Sequence, residues 1–259
     1  MIDIHTHILP GMDDGAISME ETLDMARIAV ASGVHTMIAT PHCNVEGIFD
    51  NYYDDNYESY YHSVVDAFQR EGINLSILPG MEVYGSEEVP GLLKQGKIIT
   101  LNYSRYLLIE FSFHKDLLLI EYLINELTNL GIHPIIAHPE RYPYVQKHPE
   151  LLYEWVEQGC SIQVNKGSLL GSFGRNVKAM AHEILDNSLA SFIASDAHGP
   201  ERRTTDLSEV YQRIKYYYSR AYADLLLMEN PKRVIEDQEL LDPRRQERWP
   251  KEVAIRVHQ

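Results

Sequence analysis

The sequence predicts an α/β protein built on a parallel sheet. Short apolar segments alternate with amphipathic helical segments, and several short segments are apolar on successive residues, as in strands covered on both faces. The predicted strands are Met1–His5, Val34–Ala39, Leu75–Pro79, Tyr106–Phe111, Pro134–His138, Ser161–Asn165 and Phe192–Ser195. Seven strands in this rhythm favour a closed or distorted barrel, and an open doubly wound sheet is the alternative.

Helix signals fall between these strands. Ser18 and Glu21 form a capping box at the start of the first helix, and Gly33 ends it. Tyrosine and apolar residues recur at helical spacing from Tyr57 to Phe68 in the next segment. The remaining predicted helices are Leu117–Leu130, Pro149–Gln158, Gly174–Asp186, Leu207–Tyr218 and further turns within Ala221–Asp237.

Length, charge and cysteine content limit the class of protein. The 259 residues fit a single α/β domain over residues 1–241, followed by a charged C-terminal tail at 242–259. The net charge of -15 argues against a broad basic surface for nucleic acid. We expect no membrane insertion and a cytoplasmic location, because there is no bilayer-length apolar run or signal-peptide pattern. Cys43 and Cys160 provide no disulfide framework.

Histidines and carboxylates follow six of the seven predicted strands. In an α/β barrel, the C-terminal strand ends meet at one rim, where catalytic groups gather. A His-x-His pair alone is weak evidence, because a turn with two exposed histidines has the same pattern. Independent surface residues are not expected to keep this register so often. The residues concerned are His5, His7, His42, Glu82, Glu110, His138, Asp196 and His198.

Three acidic residues need separate interpretation. Glu110 interrupts an apolar strand, so it must be protonated, paired with a core Arg or Lys, or bound to a metal, and we favour metal. Asp14 could reach a metal beside His42 and His198, whereas Asp13 fits a solvated turn better. The eight strand-end residues and Asp14 make nine candidate ligands, which suit two or three divalent ions joined by bridging carboxylates. Such clusters can bind phosphate, generate hydroxide and stabilise a leaving oxygen.

Arginines near the predicted rim add phosphate-binding capacity. Arg141 follows His138 closely, and Arg202 and Arg203 follow His198, although Arg202 also fits a surface ion pair. In cysteine phosphatases the nucleophilic cysteine is followed, six positions later, by an arginine. No arginine stands six positions after Cys43 or Cys160, so this class of enzyme is excluded. No nucleophile elbow or Walker A loop is present.

An amidohydrolase barrel is a further alternative, since it also opens with His-x-His. Such enzymes usually carry a lysine or another bridging ligand on strand four and histidines on strands five and six. Here the fourth predicted strand carries Glu110, and the sixth ends in Asn165 without a histidine. This pattern disfavours the amidohydrolase interpretation without excluding it.

Taken together, these motifs resemble the PHP (polymerase and histidinol phosphatase) superfamily. More closely, the chain resembles the bacterial capsule and exopolysaccharide tyrosine phosphatases of the CpsB/YwqE type, in order and up to about Glu236. The matching segments are Asp3–Gly11, Asp13–Gly15, Ala39–His42, Glu82, Ala137–Tyr142 and Asp196–His198. The resemblance implies a distorted (β/α)7 TIM-like barrel of the PHP type, forming a single domain.

The resemblance also implies a trinuclear metal site with two phosphate-binding arginines, Arg141 and Arg203. We expect manganese, with iron, magnesium or zinc as alternatives. The implied ligand sets are His5, His7, Glu82 and Asp196 for one metal, Glu82, Glu110 and His138 for a second, and Asp14, His42 and His198 for a third.

The implied substrate is phosphotyrosine, especially in the tyrosine-rich tail of a bacterial tyrosine kinase that controls polysaccharide export. The residues by themselves predict only a phosphoesterase. One alternative is a PHP phosphatase acting on histidinol phosphate or another small ester. The other is a non-catalytic domain that binds phosphopeptides.

Overall fold

The computed structural model describes residues 1–114 and 116–245, in which most strands are followed by single helices or by groups of two or three. The strands are β1 (Ile2–Thr6), β2 (Thr36–Ala39), β3 (His42–Cys43), β4 (Ser76–Pro79), β5 (Glu82–Tyr84), β6 (Tyr106–Glu110), β7 (His133–Ala137), β8 (Ser161–Asn165) and β9 (Ala190–Ala194). The α-helices are α1 (Met19–Ala31), α2 (Asp55–Arg70), α3 (Val89–Lys94), α4 (Leu117–Asn129), α5 (Pro143–Lys147), α6 (Glu150–Glu157), α7 (Lys166–Leu170), α8 (Arg175–Asp186), α9 (Ser208–Tyr217), α10 (Arg220–Asp224) and α11 (Asn230–Ile235). A π-helical turn, Leu225–Glu229, joins α10 to α11.

The strands are parallel and lie in two hydrogen-bonded sheets, ordered β1-β2-β4 and β3-β5-β6-β7-β8-β9. Only two residues separate β2 from β3 and β4 from β5, so each pair acts as one bent barrel strand. Pro41 lies in the first bend, where a residue without a backbone N–H suits a break in the ladder. Seven barrel strands result within the described residues, as the sequence predicts.

The barrel closes between its last and first strands. The backbone N–H of Asp196 donates to His5 O at 3.0 Å, and that of His7 donates to Ala197 O at 2.9 Å. These bonds exclude the open doubly wound alternative. They also bring the residues that follow β9 beside the end of β1. The first and the last candidate ligands in the sequence therefore lie close together.

Two apolar clusters hold the barrel together. A larger one packs the helices against the outer faces of the strands, and a smaller one, drawn from strands around the barrel, fills its interior. The smaller cluster includes Ile2, Ile4, Ile38, Leu108, Ile135 and Phe192. The polar end of the barrel therefore lies next to a packed apolar interior.

Most predicted elements are confirmed, with ends shifted by one or two residues. Ser18 caps α1 as predicted, and its hydroxyl accepts a hydrogen bond from the Glu21 N–H at 3.3 Å. No helix within the described residues is both long enough and apolar enough to cross a membrane. Residues 246–259 of the predicted tail lie outside the described residues, and the boundary at 241 stays a prediction.

Candidate metal centre

All nine predicted ligands meet at the C-terminal end of the barrel. His5 lies on β1, His42 begins β3, Glu82 begins β5 and Glu110 ends β6. The others lie on the loops that follow β1, β7 and β9. Seven of the nine line a cavity of about 340 Å³, whereas His5 and His7 are fully buried. These seven are Asp14, His42, Glu82, Glu110, His138, Asp196 and His198.

The innermost group contains two histidines and two carboxylates. The Nε2 atoms of His5 and His7 lie 3.2 Å apart. Glu82 oxygens lie 3.3 Å from His5 Nε2 and 3.4 Å from His7 Nε2, and Asp196 Oδ1 lies 3.5 Å and 3.4 Å from the same two atoms. This group is the set that the family resemblance implies for one metal.

Two further groups lie beside the first. His138 Nε2 is 3.0 Å from Glu82 Oε1 and 3.7 Å from Glu110 Oε1. Asp14 Oδ1 is 3.6 Å from His42 Nε2 and 3.4 Å from His198 Nε2. Glu82 Oε2 also lies 3.0 Å from His42 Nδ1, so Glu82 is common to neighbouring groups. A carboxylate in this position can bridge metal ions.

The outer nitrogens of the two inner histidines are held by acceptors. His5 Nδ1 lies 2.9 Å from Gln163 Oε1, and His7 Nδ1 lies 2.7 Å from Asp13 Oδ2. When the rings are neutral, as metal ligands must be, each Nδ1 donates its proton to its acceptor, which leaves the lone pair on each Nε2. Two lone pairs then face each other beside two buried carboxylates. Such an arrangement fits a bound cation and is costly without one.

The shifted pKa values of the buried groups also indicate that the cluster fits bound cations. Burial by itself would lower the pKa of His7, but the adjacent Asp13 carboxylate outweighs burial and raises that pKa well above its ordinary value. Burial and the nearby Glu82 raise the pKa of Glu110 to about 7. The cluster thus holds protons where divalent cations would otherwise balance the carboxylates. His138 Nδ1 has no hydrogen-bond partner among the described residues.

The alternative in which Glu110 pairs with a core Arg or Lys finds no support in the described residues. Its charged partners within 4 Å are His42 and His138, at 3.9 Å and 3.7 Å. The carboxylate is 13% exposed and lines the cavity. It therefore faces the ligand cluster instead of a structural cation.

The sequence interpretation of Asp13 as a solvated turn residue is wrong. Asp13 Oδ2 accepts hydrogen bonds from His7 Nδ1 and from the His42 N–H at 2.9 Å, and Oδ1 accepts from the Gly15 N–H at 2.9 Å. Its side chain is fully buried. Gly15 is required here, since a Cβ on it would lie 2.1 Å from His7 O. The sequence signal for this role is the Asp13-x-Gly15 turn on the same loop as His7, six positions after it.

Gln163 is a second supporting residue that sequence reasoning missed. It lies in the middle of β8, and its Nε2 donates to Asn165 Oδ1 at 2.8 Å while its Oε1 accepts from His5. Asn165 in turn donates to Asp196. The sixth barrel strand therefore supplies no histidine but orients two of the candidate ligands.

Three residues of the site have left-handed backbone conformations that non-glycine residues rarely adopt. The φ angles are +34° for His138, +49° for Asp196 and +49° for Arg203. Strained backbone of this kind concentrates at functional sites, where the surrounding structure holds it in place. Here the strain directs an imidazole, a carboxylate and a guanidinium into one cavity.

Two arginines line the cavity, as predicted. Arg141 Nη1 lies 3.3 Å from Asp196 Oδ2, and Arg203 Nη2 lies 2.5 Å from the same oxygen. The adjacent Arg202 is exposed and does not line the cavity. The fold thus places Arg203, not its neighbour, beside the candidate ligands. His114, which the sequence gives no role, also lines the cavity.

The cysteines lie away from this chemistry. Both are buried, and burial raises the pKa of each thiol to about 12. Neither Cys43 nor Cys160 lines the cavity. A thiolate nucleophile is therefore excluded on structural as well as sequence grounds.

Comparison with known proteins identifies the family. Residues 1–236 match the family model described as capsular polysaccharide synthesis, CpsB/CapC. The chain belongs to the CpsB/CapC family. The resemblance drawn from the strand-end motifs is thereby confirmed.

Named relatives of this CpsB/CapC protein are tyrosine phosphatases. It is 39% identical over 213 residues to tyrosine-protein phosphatase YwqE of Bacillus subtilis, covering 81% of this chain and 82% of that one. It is 32% identical over 243 residues to tyrosine-protein phosphatase CpsB of Streptococcus pneumoniae, covering 92% and 99%.

A solved structure gives the same result at the level of the fold. It is described as YwqE from Bacillus subtilis and CpsB from Streptococcus pneumoniae, unique metal-dependent tyrosine phosphatases. It superposes on this CpsB/CapC protein with a TM-score of 0.87 and 36% identity, covering 93% of this chain and 96% of that one. The barrel fold is therefore confirmed.

Proposed function

We propose that this protein is a metal-dependent protein-tyrosine phosphatase. The observation that supports this most strongly is a cluster of nine histidine and carboxylate ligands, seven of which line one cavity together with two arginines. Named relatives with this activity support the reaction class. A binding module would need no such convergence of buried, mutually repelling carboxylates, so the non-catalytic alternative is disfavoured.

We assign the nine ligands to three divalent ions, with manganese the first choice for this mixture of imidazole and carboxylate donors. The sets are His5, His7, Glu82 and Asp196; Glu82, Glu110 and His138; and Asp14, His42 and His198. When bound, the ions supply Lewis acidity that activates water and neutralises charge on a phosphoryl group. Iron, magnesium and zinc are the alternatives.

The side chains around the ions bind and orient the phosphoryl group. Arg141 and Arg203 line the cavity from neighbouring loops, and their planar forks suit the non-bridging oxygens of phosphate. Neither cysteine serves as a nucleophile, because both are buried with raised pKa values. We assign no other side-chain nucleophile and propose direct hydrolysis by water, without a phosphorylated enzyme.

The apolar side of the cavity favours an aromatic phosphate ester. Val45, Ile48 and Phe49, on the turn after β3, line it together with Phe113 after β6. Ile48 and Phe113 are 69% and 42% exposed, so they are available to a phenyl ring. A tyrosine-rich kinase tail would present such rings, and we propose it as the natural partner. The cytoplasmic location stays a prediction.

A side-by-side assay tests the substrate class. We expect manganese-loaded protein to release phosphate faster from a tyrosine-phosphorylated peptide than from histidinol phosphate, because the apolar wall contacts a phenyl ring. Activity should disappear on chelation and return with manganese. Preference for histidinol phosphate would retain the metal site but overturn the substrate assignment, and binding without release would support the non-catalytic alternative.

Asp13→Asn tests the support of the metal centre. Asparagine keeps the shape of the side chain but loses the charge that orients His7 and holds its Nδ1 proton. We expect metal affinity or activity to fall by about 10–100-fold, the usual cost of losing such a supporting carboxylate. Calorimetric titration with manganese measures the affinity. Asp66→Asn, on the exposed face of α2, is the control, and an equal effect there would contradict the assignment.

A further inference from the structure

We propose that Phe173 is a positioning residue that holds Arg141 and Arg203 in the orientation that binds phosphate. This inference rests on the proposed function, because it assigns the two arginines to a phosphoryl group. Phe173 is not itself expected to touch the reacting atoms, and it does not line the cavity. Its role is exerted through the two guanidinium groups.

The distances indicate that one aromatic ring contacts both guanidinium groups. The Arg141 guanidinium carbon lies 4.8 Å from the centroid of the Phe173 ring, and that of Arg203 lies 5.8 Å from it. Both distances are within the range of an attractive cation–π contact. Arg141 also lies 5.4 Å from the Phe113 ring, whereas Phe173 contacts both arginines.

The backbone around Phe173 is shaped to present its ring. Phe173 lies between α7 and α8, flanked by Gly171 and Gly174, whose φ angles are +91° and +93°. Its ring packs against Gly167 so closely that a Cβ there would lie 2.9 Å from Phe173 Cε2. Glycine at 167 therefore makes room for the ring, and the half-buried ring is held from behind.

The loop that carries Arg203 is hydrogen-bonded to helix α7, which also contacts the Phe173 ring. Lys166, the first residue of α7, donates through Nζ to the backbone oxygens of Thr204 and Asp206, the latter at 2.6 Å. Helix α7 thus supports both the phenylalanine ring, through Gly167, and the residues that follow Arg203. Both sides of the contact are therefore joined to the same helix.

An aromatic ring is well suited to orienting the two guanidinium groups. Each arginine also contacts Asp196, which would share its charge with a metal if it acts as the ligand proposed above. An aromatic face attracts the flat side of a guanidinium and does not occupy its in-plane N–H groups, so those that Asp196 does not engage can bind phosphate oxygens. A carboxylate in the same place would occupy those N–H groups. Phe173 therefore orients the cations without competing with the substrate.

Phosphate titration of the manganese-loaded protein tests the proposal without requiring turnover. We expect Phe173→Leu, which keeps an apolar side chain, to weaken inorganic phosphate binding by about tenfold, the scale of two lost cation–π contacts. Phe173→Tyr, which keeps the ring, should bind phosphate within about twofold of the wild type. The remote aromatic substitution Tyr153→Leu on α6 is the matched control.

A double-mutant cycle separates positioning from a merely structural role. In an Arg141→Ala, Arg203→Ala background, Phe173→Leu should change phosphate affinity by less than about twofold, because the groups it positions are gone. An undiminished effect in that background, or equal affinities of the Phe173→Leu and wild-type proteins, would overturn the proposal. Failure of the wild type to bind phosphate would also overturn it. Binding of phosphate with no peptide hydrolysis would overturn only the proposed function.

Discussion

Replacing Glu82 with glutamine is expected to abolish phosphate release and to remove bound metal. Glu82 oxygens lie within 3.4 Å of His5, His7, His42 and His138, and its side chain is 1% exposed. Burial would raise the pKa of Glu82, but His5 and His42 outweigh burial and hold that pKa well below its ordinary value. The carboxylate is thus kept charged at the point where the candidate ligand groups meet.

The expected loss in kcat/KM for Glu82→Gln is about a thousandfold or more, above the ~10–100-fold cost of losing a supporting residue. A neutral amide cannot bridge two cations as a carboxylate does. Metal content measured after gel filtration should fall by more than one ion per chain. Glu87→Gln, exposed on the loop after β5, is the matched control. A fully metallated, active Glu82→Gln protein would refute the assignment of Glu82 as a bridging ligand.

The barrel and the ligand set were predictable because both depend on local patterns. Successive apolar residues mark each strand, and the histidine or carboxylate that follows lies at a strand end, where parallel topology dictates one rim. His42 and Glu82 show the limit of this reasoning. Each was assigned to the end of a strand, yet each begins a short second strand after a bend. Their side chains still reach the rim, because the bend continues the same barrel strand.

The supporting contacts were not predictable, since they join residues far apart in sequence. Gln163 reaches His5 across 158 positions, and nothing about a glutamine within a strand indicates that partner. Phe173 lies in a loop without a strand or helix pattern, so only the folded arrangement shows its contact with Arg141 and Arg203. Asp13 differs, because its partner His7 is close in sequence. That interpretation failed because a turn aspartate was assumed to face solvent.

Replacing Arg203 with alanine is expected to separate phosphate binding from metal binding. Arg203 Nη2 lies 2.5 Å from Asp196 Oδ2, and its Nε donates to the Asp196 backbone oxygen at 3.2 Å. Removing this cation leaves Asp196 more available to a metal, so metal content should stay the same or rise. Activity should nevertheless fall, since a preorganised donor to the phosphoryl oxygens is lost.

For Arg203→Ala we expect kcat/KM on a phosphotyrosine peptide to fall by about 10²–10³-fold, as when other preorganised oxyanion donors are removed. Arg202→Ala is the matched control, because its side chain is exposed and lies outside the cavity although it is the preceding residue. Equal losses for the two variants, or a larger loss for Arg202→Ala, would show that the wrong arginine has been assigned. Loss of metal from Arg203→Ala would instead mean that the guanidinium organises Asp196 and not the substrate. The Arg203 side chain is 29% exposed and lines the cavity, so part of the guanidinium stays accessible to a phosphoryl oxygen, which favours the substrate role.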